Sequence, residues 1–137
     1  MKYLCSIVML IAISIFLSGC VPKPVVPVTV DCPGTGEMKS GEIQVSVGDE
    51  FKLSLCSNIT TGHAWSNPGI ISDIDVIEQV DHIYKNPSFG GVGAGGEEVW
   101  TFKAKSKGQS TVSLKYRQGS EDDEQASMTY VLRVDVR

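Results

Sequence analysis

The segment MTYVLRVDV, residues 128–136, places an apolar side chain at every second position. Successive side chains of a β-strand point to opposite faces of a sheet, so this period of two predicts a half-buried strand. One face of this segment would then pack on a core, while Arg133 and Asp135 on the other face would meet solvent. The last segment of the chain therefore favours a layered β-protein over a helical one.

The same alternation recurs upstream of this segment. It covers residues 42–47, 51–55, 99–104 and 112–116. The stretch from 70 to 84 is β-branched and apolar without a clean period, and predicts one or two further strands. No window has a 3.6-residue apolar stripe with helix caps. Short strands separated by glycine-rich turns predict an all-β, immunoglobulin-like β-sandwich of about seven strands.

The N-terminus predicts export. Lys2 precedes an uncharged apolar run, Leu4 to Leu17, of about fourteen residues. That length fits a signal peptide and is short for a membrane-spanning helix, which needs roughly twenty residues. The run closes with Leu17-Ser18-Gly19-Cys20, which resembles the lipobox of bacterial-type lipoproteins. We expect residues 1–19 to be a lipoprotein signal peptide and Cys20 to be lipidated, the alternatives being an ordinary signal peptide or an uncleaved anchor helix.

The next segment is rich in proline. Three prolines fall within residues 21–27, and such a composition favours extended, polyproline-like geometry. We therefore expect residues 20–40 to be a lipidated tether. Residues 41–137 then form one domain, since the 118 residues from Cys20 onward suffice for one core but hardly for two. The predicted location is extracytoplasmic, lipid-anchored to the cell membrane.

Charge and cysteine usage restrict the partners. Without residues 1–19, eleven basic side chains face sixteen acidic ones, a net charge of −5. No basic cluster suggests a nucleic-acid partner, and the acidic run from Glu121 to Glu124 is predicted to be a solvated loop. Cys32 and Cys56 are an even pair in an extracytoplasmic setting, so we predict a disulfide between them, with two buried thiols as the alternative.

Enzymatic function is not expected. The two histidines, His63 and His82, come with no nucleophile elbow, no H-E-x-x-H and no C-x-x-C. No metal or other cofactor is therefore predicted. Function in a β-sandwich lies in its loops, and three are unusual here: residues 58–65 (NITTGHAW), residues 89–96 (FGGVGAGG) and the segment from Arg117 to Gln125.

These loops resemble the signatures of the chagasin-like inhibitors of papain-family cysteine peptidases. Those signatures are N-P-T-T-G-x-x-W, G-x-G-G and an R-P-W-type sequence, in this order on an immunoglobulin-like sandwich. The matching residues are Asn58, Thr60, Thr61, Gly62 and Trp65 in the first, Gly93, Gly95 and Gly96 in the second, and Arg117 in the third. Ile59 replaces the proline of the first signature. Gln118-Gly119 stands where the third has proline and an aromatic residue.

The resemblance covers most of residues 40–137 and implies a proteinaceous inhibitor. Its partner would be a papain-like cysteine peptidase whose active-site cleft receives the three loops as a wedge. Thr60 and Thr61 would lie over the catalytic cysteine, with Gly62 permitting a positive φ and Asn58 bracing the loop backbone. The glycines at 93, 95 and 96 would let backbone approach the cleft wall, and Arg117 would make the third contact. We expect the inhibitor to be a monomer.

Some of these residues, and the domain as a whole, have other interpretations. Trp65 and Trp100 are expected in the core, because immunoglobulin-like sandwiches typically bury a strand tryptophan there. The Asn58-Ile59-Thr60 sequence is also an N-glycosylation sequon, and a glycan there would block the wedge. The alternative function is a cell-surface immunoglobulin-like structural or adhesion module that retains the fold without inhibitory activity.

Overall fold

The computed structural model describes residues 25–30, 38–87, 94–119 and 126–137. Nine strands lie in this part of the chain: β1 (Val26–Val30), β2 (Met38–Val45), β3 (Glu50–Ser57), β4 (His63–Trp65), β5 (Ile70–Ile71), β6 (Ile77–Lys85), β7 (Gly96–Ala104), β8 (Gly108–Gln118) and β9 (Met128–Val136). One 3₁₀ turn, Ile59–Thr61, is the only helical element there. Consequently, no helix in the described ranges has the length and apolar character to span a bilayer.

The strands form two sheets. The four-stranded sheet has the order β1-β3-β7-β6, and the five-stranded sheet has the order β2-β9-β8-β4, with β5 also paired to β8. Most neighbours are antiparallel, but β1 runs parallel to β3 and β2 runs parallel to β9. The long register of β8 with β9, from Gly108↔Val136 to Tyr116↔Met128, makes this hairpin the frame of the second sheet.

The core lies between the two sheets. Alternate residues of each strand point inward, as the period of two predicts. Fully buried members include Phe51, Leu53, Trp100 and Phe102 from the first sheet and Val112, Leu114, Leu132 and Val134 from the second. The rings of Phe51 and Phe102 stack at a centroid distance of 5.3 Å across β3 and β7. Burial of such side chains contributes roughly 1.5–3 kcal/mol each relative to exposure.

The all-β, immunoglobulin-like sandwich predicted from the sequence is confirmed, with nine described strands instead of about seven. The segment without a clean period forms β5 and β6. The additional strands are β4, which has three residues, and β1, which lies in the proline-rich segment. The sheets therefore reach further towards the N-terminus than the predicted domain start at residue 41, because β1 and the first residues of β2 belong to them.

One strand ends earlier than its pattern predicts. Val47 was expected on the inward face of the strand over residues 42–47, but β2 ends at Val45 and Val47 is exposed. The Asp49 carboxylate accepts the Ser46 N–H at 2.8 Å, and the Asp49 N–H donates to the Ser46 carbonyl. This turn closes before Val47 reaches the core.

The sandwich has two ends that differ in composition. The loop end comprises the β3–β4 connection (58–62) and the described parts of the β6–β7 and β8–β9 connections (86–87, 94–95, 119 and 126–127). The base, at the opposite end, comprises the turn 46–49, the segment 72–76 and the turn 105–107. The predicted signal peptide, Cys20, Cys32, Gly93 and the acidic run 121–124 lie outside the described residues.

Candidate functional site

The β3–β4 loop is a closed, hydrogen-bonded turn. The Asn58 carbonyl accepts both the N–H and the hydroxyl of Thr61, at 3.1 and 2.7 Å. The Gly62 N–H donates to the Ile59 carbonyl, and Gly62 has a φ of +79°, in the left-handed region that favours glycine. The positive φ predicted for Gly62 is thus present in the structure. The turn projects an exposed tip made of Ile59, Thr60 and Thr61.

Asn58 also contributes its side chain to this turn. Its side chain makes no capping bond to the backbone of the 3₁₀ turn. Instead its Oδ1 accepts a hydrogen bond from the hydroxyl of Thr60. The two threonines of the motif therefore close the loop from both sides of Asn58, Thr60 through the side-chain oxygen and Thr61 through the main-chain oxygen.

Tyr116 of β8 supports the turn from below. Its hydroxyl accepts the Asn58 N–H at 2.9 Å, which joins the turn to the opposite sheet. Its ring stacks on His63 at 5.5 Å and contacts Trp65 at 5.1 Å. Aromatic contacts of this kind contribute about 0.5–1.5 kcal/mol beyond their buried area. His63, one ring nitrogen of which also lies 3.2 Å from the Thr61 hydroxyl, therefore belongs to the support of the loop.

Trp65 anchors the far side of the loop in the core, as predicted. Its indole N–H donates to the Cys56 carbonyl at 2.8 Å, and its backbone N–H donates to the Glu98 carboxylate at 3.0 Å. Glu98 is only 4% exposed, and its second oxygen lies 2.9 Å from Nε2 of His82. A buried carboxylate is costly unless its oxygens are hydrogen-bonded, and here both are.

The glycine-rich loop meets the first loop where β7 begins. A methyl group on Gly95 would lie 3.3 Å from the Ser57 carbonyl oxygen and 3.7 Å from the Asn58 Cβ, so the two backbones are in close approach. A methyl group on Gly96 would overlap the Lys85 carbonyl oxygen and the Tyr84 hydroxyl. Gly96 is thus required for the pairing of β6 with β7, and Gly95 lies at the surface beside the turn.

The third loop is joined to the first by its backbone. The Gly119 N–H donates to the Gly62 carbonyl at 3.1 Å, and the Gln118 amide reaches the Thr61 carbonyl at 3.5 Å. Arg117 is half-buried opposite Ala64, and both line a shallow pocket of about 390 Å³ that also includes His82 and Glu98. The described residues of all three signatures therefore meet at the loop end.

Two residues of this site were not singled out from the sequence. Tyr116 ends the alternating segment 112–116 and packs against the core, but only the fold shows that its hydroxyl holds Asn58. Glu98 directly precedes the alternating segment 99–104 and was not predicted to have a role. Its position on an otherwise apolar inward face, beside Trp100 and Phe102, is the sequence signal of a buried, paired carboxylate. No group of three or more metal-ligating side chains occurs among the described residues.

Comparison with protein-family models identifies the family of this chain. Residues 44–134 match the model of the chagasin family peptidase inhibitor I42, which is two thirds of the chain. The chain belongs to the chagasin family. Among curated proteins, none matches significantly.

Solved structures share this chagasin-like fold at low sequence identity. The cysteine protease inhibitor EhICP2 from Entamoeba histolytica is 18% identical with a TM-score of 0.57, over 73% of this chain and 97% of that one. Amebosin is 22% identical with a TM-score of 0.51, over 84% and 100%. PbICP-C, solved in complex with falcipain-2, is 11% identical with a TM-score of 0.55, over 82% and 99%. These likenesses establish the fold, and the family match establishes membership among peptidase inhibitors.

Proposed function

We propose that this chain is a non-enzymatic inhibitor of papain-like cysteine peptidases that binds with its loop end. The observation that carries the proposal is the family match over residues 44–134, within which the Asn58–Trp65 signature forms a turn held from below by Tyr116. The similar fold of PbICP-C, which was solved in complex with falcipain-2, supports the same class of partner. The proposed contacts are Asn58, Thr60, Thr61, Gly62, Gly93, Gly95, Gly96 and Arg117.

The shape of the turn explains how it would escape cleavage. A peptidase cleaves an extended backbone, whereas residues 59–61 are coiled into a 3₁₀ turn. Hydrogen bonds to the Asn58 and Ile59 carbonyls already occupy the N–H groups of Thr61 and Gly62. The turn therefore enters a cleft as a pre-organised wedge, and little conformational entropy remains to be lost on binding.

Ile59 gives the wedge an apolar tip. The chagasin signature has proline at this position, and a proline would restrict the backbone of the loop. The hydrogen bonds that close the turn supply that rigidity instead. Ile59 is 47% exposed, so we propose that it contacts an apolar wall of the peptidase cleft and affects which peptidases are bound.

Titration of the soluble fragment 21–137 against papain and a cathepsin-L-like peptidase tests this function. We expect tight inhibition at one chain per enzyme, consistent with a monomeric inhibitor. Thr61→Arg should weaken inhibition strongly with little change in melting temperature, because Thr61 is exposed. Ser46→Arg, at the exposed base, is the matched control and should inhibit like the parent. Absence of inhibition at micromolar concentration would favour the structural or adhesion module.

We further propose that the inhibitor is exported and attached to the membrane through lipid on Cys20. The support comes from the Leu17-Ser18-Gly19-Cys20 sequence, the apolar run before it and the prolines after it. A thioether-linked diacylglycerol supplies two acyl chains, and two such chains are what stable anchoring requires. The inhibitor would then act at a membrane surface, outside the cytoplasm.

A Cys32–Cys56 disulfide is proposed as well. The register of β1 on β3 pairs Val30 with Leu55, so the chain leaves β1 beside the residue that precedes Cys56. Cys32 follows Val30 by two residues and Cys56 follows Leu55 by one, so both cysteines come shortly after a pair of facing residues. Bonded cysteines have Cα atoms about 4.4–6.8 Å apart, which adjacent positions of paired strands satisfy. The bond would fix the edge strand β1 to the sheet.

A further inference from the structure

The direction of β1 determines where the chain enters the sandwich. β1 runs parallel to β3, and the register pairs Val26 with Phe51 at the start of both strands. β3 begins at the base and ends at Ser57, next to the β3–β4 turn of residues 58–62, which we call the wedge turn. The proline-rich segment therefore joins the domain at the base, at the end opposite the candidate site.

The base is one continuous surface. The Gly48 N–H donates to the Ala104 carbonyl at 2.8 Å, which joins the turn 46–49 to the end of β7. The Lys105 N–H donates to the Val76 carbonyl at 2.8 Å, which joins the turn 105–107 to the segment 72–76. These hydrogen bonds join the three connections to one another, and the turn 46–49 leads into β3, the strand with which β1 pairs.

Apolar side chains are exposed on this surface. Ile74 is 67% exposed, the most among the large hydrophobic residues described, and Val47 and Val25 are each 40% exposed. Lys105 and Lys107 lie beside the acidic Asp73 and Asp75, so the charges of this surface are mixed. Electrostatic attraction to anionic lipids therefore does not orient the domain on the bilayer. Insertion of apolar side chains into the interfacial region of the bilayer does not depend on the net charge of the surface.

The length of the tether limits how far the base moves from the bilayer. Six residue steps separate Cys20 from Val26, and an extended proline-rich chain covers about 19 Å in that distance. Seven residue steps of β3 and its continuation, from Phe51 to Asn58, span roughly 23 Å. If the loop end faced the bilayer, the base would have to lie further from the membrane than the tether reaches.

A bound peptidase is a second obstacle to an orientation in which the loop end faces the bilayer. A domain of about 200 residues has a radius of gyration near 16 Å, and a peptidase of that size would have to fit between the loop end and the lipid. The short tether leaves no such space. Inhibition by the anchored chain therefore requires the loop end to face away from the bilayer.

We propose that the base, residues 46–49, 72–76 and 105–107, is a membrane-facing surface whose partner is the interfacial region of the bilayer that holds the Cys20 lipid. Ile74 and Val47 contact that interface, and the wedge turn points outward to peptidases that approach from the aqueous side. The proposal rests on the lipid anchor and on the inhibitory loop end proposed above.

The experiment compares two exposed isoleucines at opposite ends. Ile74→Cys at the base and Ile59→Cys at the loop end are each labelled with a fluorescent thiol probe in the full-length, lipidated chain. The chains are reconstituted in zwitterionic vesicles that contain headgroup spin-labelled lipid, with the unsubstituted chain as labelling blank. Because roughly 23 Å separates the ends, we expect quenching at Ile74 to exceed that at Ile59 by about fivefold, also in high salt.

Each outcome bears on a separate step. Equal quenching of the two probes, or stronger quenching at Ile59, in chains that sediment with the vesicles overturns the orientation alone. Chains that do not sediment with the vesicles overturn the anchor and this proposal with it. Papain inhibition by the vesicle-bound Ile74→Cys chain is measured in parallel, so a failure of the inhibitory function is seen independently. Melting temperatures of both variants confirm that the probes report on folded protein.

Discussion

At the residue scale, the loop end depends on a few side chains that connect it to the core. Tyr116 and Trp65 both hold backbone or side-chain polar groups of the β3–β4 loop while their rings pack together. The sequence identified Trp65 because a tryptophan in a signature loop is conspicuous. It did not reveal the role of Tyr116, since its hydroxyl meets Asn58 only when the two sheets are assembled, 58 positions apart in the chain.

Replacing Tyr116 with phenylalanine tests this support. Tyr116→Phe keeps the ring contacts and removes the acceptor of the Asn58 N–H, so we expect a loss of about 1 kcal/mol in the free energy of unfolding. The wedge turn would be less well fixed, and the inhibition constant for papain should rise about fivefold. Tyr130→Phe, the same change in the core away from the turn, should leave the inhibition constant unaltered. An unchanged constant in Tyr116→Phe would show that the hydrogen bond does not position the loop.

At the element scale, alternation identified the strands that bury one face, and it missed those that depend on their neighbours. β9 has the bounds that its pattern predicts, because five inward side chains determine it. β4 has only three residues and is formed by pairing with β8. β1 contains a proline and lies at the edge of its sheet, where strand prolines are tolerated, so its composition predicted a tether instead of a strand.

The glycine-rich loop contains two glycines with different requirements. Gly96→Ala would force a methyl group into the Lys85 carbonyl, so β6 and β7 must separate, at a cost of about 2 kcal/mol in the free energy of unfolding.

Gly95→Ala meets only a tight contact of 3.3 Å and should melt near the parent temperature. Its methyl group would nevertheless obstruct a cleft wall, and the inhibition constant should rise about tenfold, or ~1.4 kcal/mol. Thermal melts and papain titrations of both variants separate the roles, and parental inhibition by Gly95→Ala would remove it from the proposed contacts.

The proposed disulfide makes a prediction about β1. A Cys32–Cys56 bond closes a loop of about 25 residues, and its reduction should lower the free energy of unfolding by roughly 3 kcal/mol. Hydrogen exchange should show β1 losing protection first, because β1 pairs only with β3 among the described strands. Mass spectrometry after alkylation is the direct measurement. If both cysteines are alkylated without a reductant, there is no such bond.

At the scale of the whole molecule, the sandwich places the start of β1 and the candidate site at opposite ends. The signatures in the sequence were enough to anticipate the family, and they indicated the loops that we propose face a peptidase. They did not predict which end of the sandwich the proline-rich segment joins, because that depends on the parallel pairing of β1 with β3. Apolar alternation looks the same in parallel and antiparallel strands, so it does not predict the direction of pairing. The direction of one edge strand thus sets the position of the proposed membrane attachment relative to the site.

This separation predicts that attachment can be removed without loss of inhibition. Cys20→Ser removes the only thiol at which the lipobox chemistry is expected, so the chain should move from the membrane fraction to the soluble fraction. Its inhibition constant for soluble papain should equal that of the parent, because the wedge turn lies at the opposite end of the sandwich. Cys5→Ser, which alters a cysteine within the predicted signal peptide, is the matched control and should leave the chain in the membrane fraction. A Cys20→Ser chain that still sediments with membranes after a high-salt wash would mean that another feature, such as an uncleaved apolar N-terminus, holds the protein there.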